Sequence, residues 1–228
     1  MTVHKFRPPR RPKEKFLNVE HPAPFVLVSI LVLAHLIFAL LPIEQKNFMF
    51  LALALIAEDG DAFYVIGRPL GNFAPLITHT LLHGDWSHVL MNSGMILAFG
   101  VITARGAKNA ARPVLRRFSR PALVFLGIFF AGAIVGGLGQ WLLWFALGSS
   151  GIAIGASGGG AALFASAGWA MGGRDRMLAF GIITLAFNAI AVAMGAPLAW
   201  AAHVGGFAAG ALLAPLWIRP SSVRGMMG

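Results

Sequence analysis

Six stretches of this chain are apolar and close to the length of a membrane span: residues 24–41, 87–103, 121–147, 152–171, 177–194 and 198–218. A helix needs about 20 apolar residues to cross the hydrocarbon core, and there its backbone N–H and C=O groups must be bonded internally. No other feature of the sequence narrows the possible folds as far. The composition agrees, with 57% hydrophobic and 11% charged residues and a mean hydropathy of +0.76, unlike a soluble domain. The expected fold is an all-α membrane protein, a bundle of six transmembrane helices. A seventh apolar run, residues 48–57, is too short to cross and is expected to form an interfacial or buried loop helix. The absence of cysteine excludes disulfides, thiolate metal sites and a cysteine nucleophile.

The net charge of +10 invites a nucleic-acid reading, but its distribution argues against one. The N-terminal tail carries Lys5, Arg7, Arg10, Arg11, Lys13 and Lys15, and the loop after the second span carries Arg105, Lys108, Arg112, Arg116, Arg117 and Arg120. Arg174 and Arg176 follow the fourth span, and Arg219 and Arg224 follow the sixth. With six spans these regions share one side and hold 16 of the 18 basic residues. Lys46 and Arg68 stand opposite, with Glu44, Glu58, Asp59, Asp61 and Asp85. The positive-inside rule then places both termini in the cytoplasm. The expected organisation is a basic tail over residues 1–22, a six-span domain over 23–218 and a short tail over 219–228. The partners expected from charge are the bilayer and its anionic headgroups, not nucleic acid. The basic tail before an apolar run resembles a signal peptide, yet no small-residue cleavage site follows, so a retained first span is expected.

Polar groups inside spans are costly, which makes them functional candidates. His35 stands alone in the first span and is expected to hydrogen-bond a neighbouring helix. The stretch ITHTLLHGDWSHVLMN brings His79, His83, His88 and Asn92 at intervals of 4, 5 and 4, so that His88 and Asn92 share a helix face. Ser157 and Ser166 lie in the fourth span and His203 in the sixth. Ser157 and His203 each fall about five residues into a span, or roughly 8 Å at 1.5 Å per residue, near the expected level of His88 and Asn92. Three separate segments thus carry a hydroxyl, two imidazoles and a carboxamide to one depth.

The glycines suggest how these groups meet. Gly160 and Gly168 lie along the face of Ser157, and Ala202, Gly206, Gly210 and Ala214 form a row of small residues beside His203. Small residues let two helix backbones approach closely, which would bring Ser157 within hydrogen-bond reach of His203. An imidazole can take the proton of a serine hydroxyl and make it nucleophilic. Neither span holds an Asp or Glu, so the expected arrangement is a dyad with its imidazole held by packing. His88, Asn92 and the backbone N–H of Ser157 are the expected oxyanion donors, with Gly155 and Gly158 keeping that turn open to a peptide.

The segments Gly155-Ala156-Ser157-Gly158 and Ala202-His203-Val204-Gly205-Gly206 with Gly210, together with the spacing of His79, His83, His88 and Asn92, resemble the rhomboid intramembrane serine proteases. The resemblance runs from the first span to the sixth. It implies that Ser157 is the nucleophile, His203 the base, and His88 and Asn92 oxyanion donors, with His79 and His83 structuring a loop. It further implies that no cofactor or metal is used and that the substrates are single-span or polytopic membrane proteins cut in or near a transmembrane segment. A multi-pass protein of a bacterial inner membrane is the expected setting. The chain departs from the family pattern at Ala74 and Pro75, where many members have Trp-Arg, and at Ala104, where many have Glu. It departs again at Ala161, where some members stack an aromatic ring on the histidine. By family analogy, the fifth span and the connection over residues 195–199 move to admit substrate, while His79, Thr80, His83 and Asp85 are expected to line a wet funnel.

Three other readings fit parts of the pattern. His79, His83 and His88 supply enough imidazoles for a metal, but that leaves Ser157 and His203 unexplained. A catalytically inactive relative that binds membrane helices would typically lack the serine or the histidine. A transporter would be expected to show an inverted repeat of broken helices, which is not evident.

Overall fold

The computed structural model describes residues 21–58, 67–109, 121–196 and 198–221. The basic tail, Asp59 and Asp61, Arg112, Arg116, Arg117, Arg120, Pro197 and Arg224 lie outside the described residues. The described chain is mostly helical: α1 (Ala23–Leu40), α2 (Ile43–Leu53), α3 (Pro75–Thr78), α4 (Trp86–Asn109), α5 (Pro121–Leu147), α6 (Ser157–Ala193) and α7 (Trp200–Trp217). Two short strands, β1 (Leu55–Ala57) and β2 (Gly151–Ala153), complete it. Four helices are long and apolar enough to cross a membrane: α1, α4 over Trp86–Ala107, α5 and α6.

Lipid, not water, decides which faces are apolar. In α1 only Pro24, Leu27, Leu31 and His35 are buried, a stripe at helical spacing. Val26, Leu33 and Ile37 on the remaining surface are all more than half exposed, as suits a helix whose neighbour is hydrocarbon. Within α6, Gly172 and Gly173 leave helical geometry, and Gly173 takes the positive φ of +65° that glycine adopts without strain. The chain doubles back there. Phe164 and Phe180 stack with centroids 4.2 Å apart, whereas sixteen residues of unbroken helix would separate them by about 24 Å. Residues 157–171 and 174–193 are therefore two antiparallel arms.

The centre of the molecule is a seam of small residues. A Cβ on Gly206 would run into the carbonyl oxygen of Gly158, and one on Gly210 into that of Ala162. A Cβ on Gly136 of α5 would come within 2.5 Å of Ala202 O. α7 is thus pressed against both the first arm of α6 and α5, its two most extensive pairings. Apolar burial drives little helix association in lipid, so this closeness and the dispersion contacts it allows are the main cohesion. Interhelical hydrogen bonds add to it: Thr103 and Ser166 hydroxyls meet at 2.6 Å, and Trp169 Nε1 donates to Ile218 O at 3.0 Å.

Three elements differ from those expected, and one of them is the second span, which continues past residue 103 as α4 to Asn109, so that Arg105 and Lys108 belong to the helix and not to the loop. The helix anticipated over 48–57 is α2, which starts earlier at Ile43 and stops at Leu53. Residues 55–57 leave it to pair antiparallel with β2, Leu55 opposite Ala153 and Ala57 opposite Gly151, which satisfies backbone groups of both segments. Arg68 then covers the open carbonyls at the end of α2, donating to Leu51 O and Ala54 O. The helix anticipated from residue 152 begins only at Ser157, because Gly151–Ala153 is strand.

Candidate active site

Ser157 is held in place by what precedes it. Strand β2 is tied to β1, and Gly155 N–H donates to His79 O at 2.9 Å. Gly155 has φ +105°, and a Cβ there would lie 2.7 Å from His88 Nε2 and 3.3 Å from Asn92 Nδ2. Only glycine combines that backbone with that contact. The chain then turns into α6 with Ser157 as its first residue, not five residues in. Its N–H consequently belongs to the group of helix-start donors that lack an intrahelical acceptor, at the positive end of the helix dipole.

α7 brings His203 to the same place. The glycine seam sets the two helices so close that Ser157 Oγ lies 2.9 Å from His203 Nε2. The other ring nitrogen, Nδ1, lies 2.9 Å from Asn188 Oδ1. The imidazole, expected to be held by packing rather than by a carboxylate, meets no carboxylate among the described residues, and a hydrogen bond with the second arm of α6 adds to the packing. Asn188 is the residue beside His203 that the sequence did not single out. Its signal was available, a carboxamide in an apolar span one turn after Thr184.

His88 and Asn92 come from α4, whose first turn is capped by Asp85, with Asp85 Oδ1 accepting from His88 N–H at 2.9 Å. Ser157, His203, His88 and Asn92 all line one cavity of about 590 Å³. Its apolar wall includes Met95, Phe99 and Phe164, and Gly84 and Asp85 stand at its exposed margin. Asn92 is 1% exposed, yet neither its Nδ2 nor its Oδ1 meets a protein partner. A buried amide in that condition costs about 1–3 kcal/mol.

The remaining polar candidates do not line this cavity. Ser166 is fully buried and bonded to Thr103 and Leu163 O. His35 packs edge-on to Trp86, centroids 4.7 Å apart, and its Nδ1 meets no partner among the described residues. His79, Thr80 and His83 are buried and do not line the cavity. Of the four residues expected to line a funnel, only Asp85 borders the cavity. His79 Nδ1–H donates to Pro75 O at 2.6 Å, a loop staple. Among the described residues no three His, Asp or Glu side chains form a group able to hold a metal ion.

The two buried loop histidines carry a pH prediction. Burial lowers the His79 imidazole from 6.5 to about 4. Burial, then the neighbouring His88 and His35, lowers His83 to about 3. The unfolded chain takes up these protons near pH 6.5 and the folded chain resists them, so their stabilising contribution is complete above that pH and is lost as pH falls from there toward 4. Thermal unfolding in detergent should show a Tm that is flat above pH 7 and falls below pH 6.5.

The helices that carry Ser157, His203, His88 and Asn92 lie within the stretch that a family model matches. The model for the Rhomboid domain matches residues 70–220, well over half of the 228-residue chain. No match was found among curated proteins. The chain belongs to the rhomboid family.

Proposed function

We propose that this protein is an intramembrane serine endopeptidase that cuts membrane-anchored proteins in or near their transmembrane segments. The observation that carries the reading is the 2.9 Å hydrogen bond between Ser157 Oγ and His203 Nε2 at the wall of a cavity among lipid-facing helices. Its family supports it, since rhomboids are generally serine proteases. On this reading α1, α4, α5, the two arms of α6 and α7 make six spans. Both termini are cytoplasmic, as the basic residues argue, and the setting is a bacterial inner membrane.

His203 Nε2 takes the proton of Ser157 as Oγ attacks the scissile carbonyl carbon. The carbonyl oxygen becomes an oxyanion that accepts hydrogen bonds from Ser157 N–H, the Asn92 amide and His88. The intermediate collapses as the protonated imidazole gives its proton to the leaving amine, and an acyl-enzyme remains. Water entering past Asp85 gives a proton to the same imidazole and attacks the acyl carbon. Ser157 leaves, reprotonated, and the carboxylate product is released. This chemistry needs no cofactor.

The reading is tested with a single-span substrate in proteoliposomes. The unaltered protein should cleave it and His203→Ala should not; equal cleavage by both would overturn the assignment. Asn92→Ala should keep the fold and lower kcat about 10²–10³-fold, the usual cost of one oxyanion donor.

A further inference from the structure

The second arm of α6, residues 174–193, has two buried residues, Thr184 and Asn188, and both are polar. Their neighbours Ile183, Leu185 and Phe187 are each more than half exposed, and Ile183 and Phe187 border the cavity. A membrane helix that turned its inner face inward for packing alone would bury apolar or small side chains there. A carboxamide in a lipid-embedded helix is expensive without a defined partner. Asn188 has two, His203 Nδ1 at 2.9 Å and Thr184 O at 2.7 Å.

We infer that Asn188 is a positioning residue for His203, holding the imidazole in the tautomer and orientation whose bare Nε2 faces Ser157. The inference rests on the protease reading and adds to it a third group on another element. Its logic is a chain of donors and acceptors. Thr184 O accepts only, so the Asn188 NH₂ faces it and Oδ1 faces the ring. Oδ1 also accepts only, so Nδ1 carries the hydrogen. A neutral imidazole has one N–H, which leaves Nε2 bare and able to accept from the Ser157 hydroxyl at 2.9 Å. The opposite tautomer would set Nδ1 lone pair against Oδ1 and offer Ser157 a donor instead of a base.

No other described group supplies this function. The ring nitrogens of His203 meet Ser157 and Asn188 and no carboxylate. One turn after Ser157 stands Ala161, whose methyl cannot stack on the ring. A neutral amide also fits the medium better than a carboxylate would, because it orients the base without burying a second charge below the headgroups.

The test compares Asn188→Ala and the near-isosteric Asn188→Leu with Asn188→Asp, which keeps an acceptor, and with Ser157→Ala, in the full chain. Cleavage kinetics, Tm and the imidazole nitrogen NMR signals of ¹⁵N-histidine-labelled protein are the readouts. Ala and Leu should each lower kcat about 10–100-fold with little change in KM, keep Tm within a few degrees, and lose the Nδ1–H signal seen in the unaltered protein. Asp should restore part of kcat and the Nδ1–H signal. An unaltered protein carrying its hydrogen on Nε2, or Ala and Leu variants with undiminished kcat, would overturn the inference. Activity in Ser157→Ala would instead overturn the protease reading, and the tautomer signal would still decide the role of Asn188.

Discussion

Ser157→Ala is expected to lower cleavage of a membrane-anchored substrate by at least about 10³-fold while leaving the fold unchanged. The alanine keeps the helix start and the close contact with α7, since neither depends on the hydroxyl. The hydrogen bond to His203 Nε2 is lost, and with it the atom that would form the acyl bond. Groups that act as one unit lose function together and not additively. The double variant Ser157→Ala/His203→Ala should therefore be no less active than either single variant. Rates in proteoliposomes, with Tm in detergent as a fold control, check this. Multiplying losses in the double variant would mean that the two residues act independently.

Gly206→Val is expected to have the second largest effect, and it never touches the chemistry directly. A Cβ at Gly206 meets the Gly158 carbonyl, part of the turn that begins with Ser157. Backbone cannot swing aside as a flexible side chain would, so α7 must move away from α6. Overpacking of this kind costs about 1–3 kcal/mol, and the β-branched valine adds bulk. A shift of about 1 Å in the His203 helix is itself enough for a 10²-fold loss of rate. The variant should show both a lowered Tm and near-complete loss of cleavage. Gly94→Ala is the control, because its Cβ would meet nothing within 4 Å. It should be neutral in activity and neutral or slightly stabilising, as alanine favours helix over glycine. Equal behaviour of the two variants would remove the seam from the account.

The approach of α6 and α7 is legible in the sequence because the rule behind it is local. Small residues at Ala202, Gly206 and Gly210 recur every four positions and so mark one face of one helix. His203 adjoins that row, and its contact with Ser157 follows from the facing residues Gly158 and Ala162. Asn188 was harder to read. Thr184 and Asn188 are two isolated polar residues in an otherwise apolar span, and their spacing shows a shared face without showing what it meets. The partner became visible only once the break at Gly172 and Gly173 turned the second arm back beside the first. The pairing of Leu55–Ala57 with Gly151–Ala153 left no trace in periodicity, because three residues are too few to display alternation. The same pairing moved the start of α6 to Ser157. His79, Thr80 and His83 look like the lining of a wet passage because they are polar, yet all three are buried, and His79 and Thr80 bond the carbonyls of Pro75 and Ile77. Polarity alone does not distinguish a side chain that faces water from one that satisfies a carbonyl.

Fluorophosphonate labelling reads out whether His203 makes the Ser157 hydroxyl nucleophilic. The unaltered protein, reconstituted in lipid, is treated with the probe, digested and analysed by mass spectrometry. One modified serine is expected, Ser157, with labelling abolished in His203→Ala and preserved in Ser166→Ala. Labelling at Ser166 instead, or none in a folded protein that cleaves substrate, would contradict it.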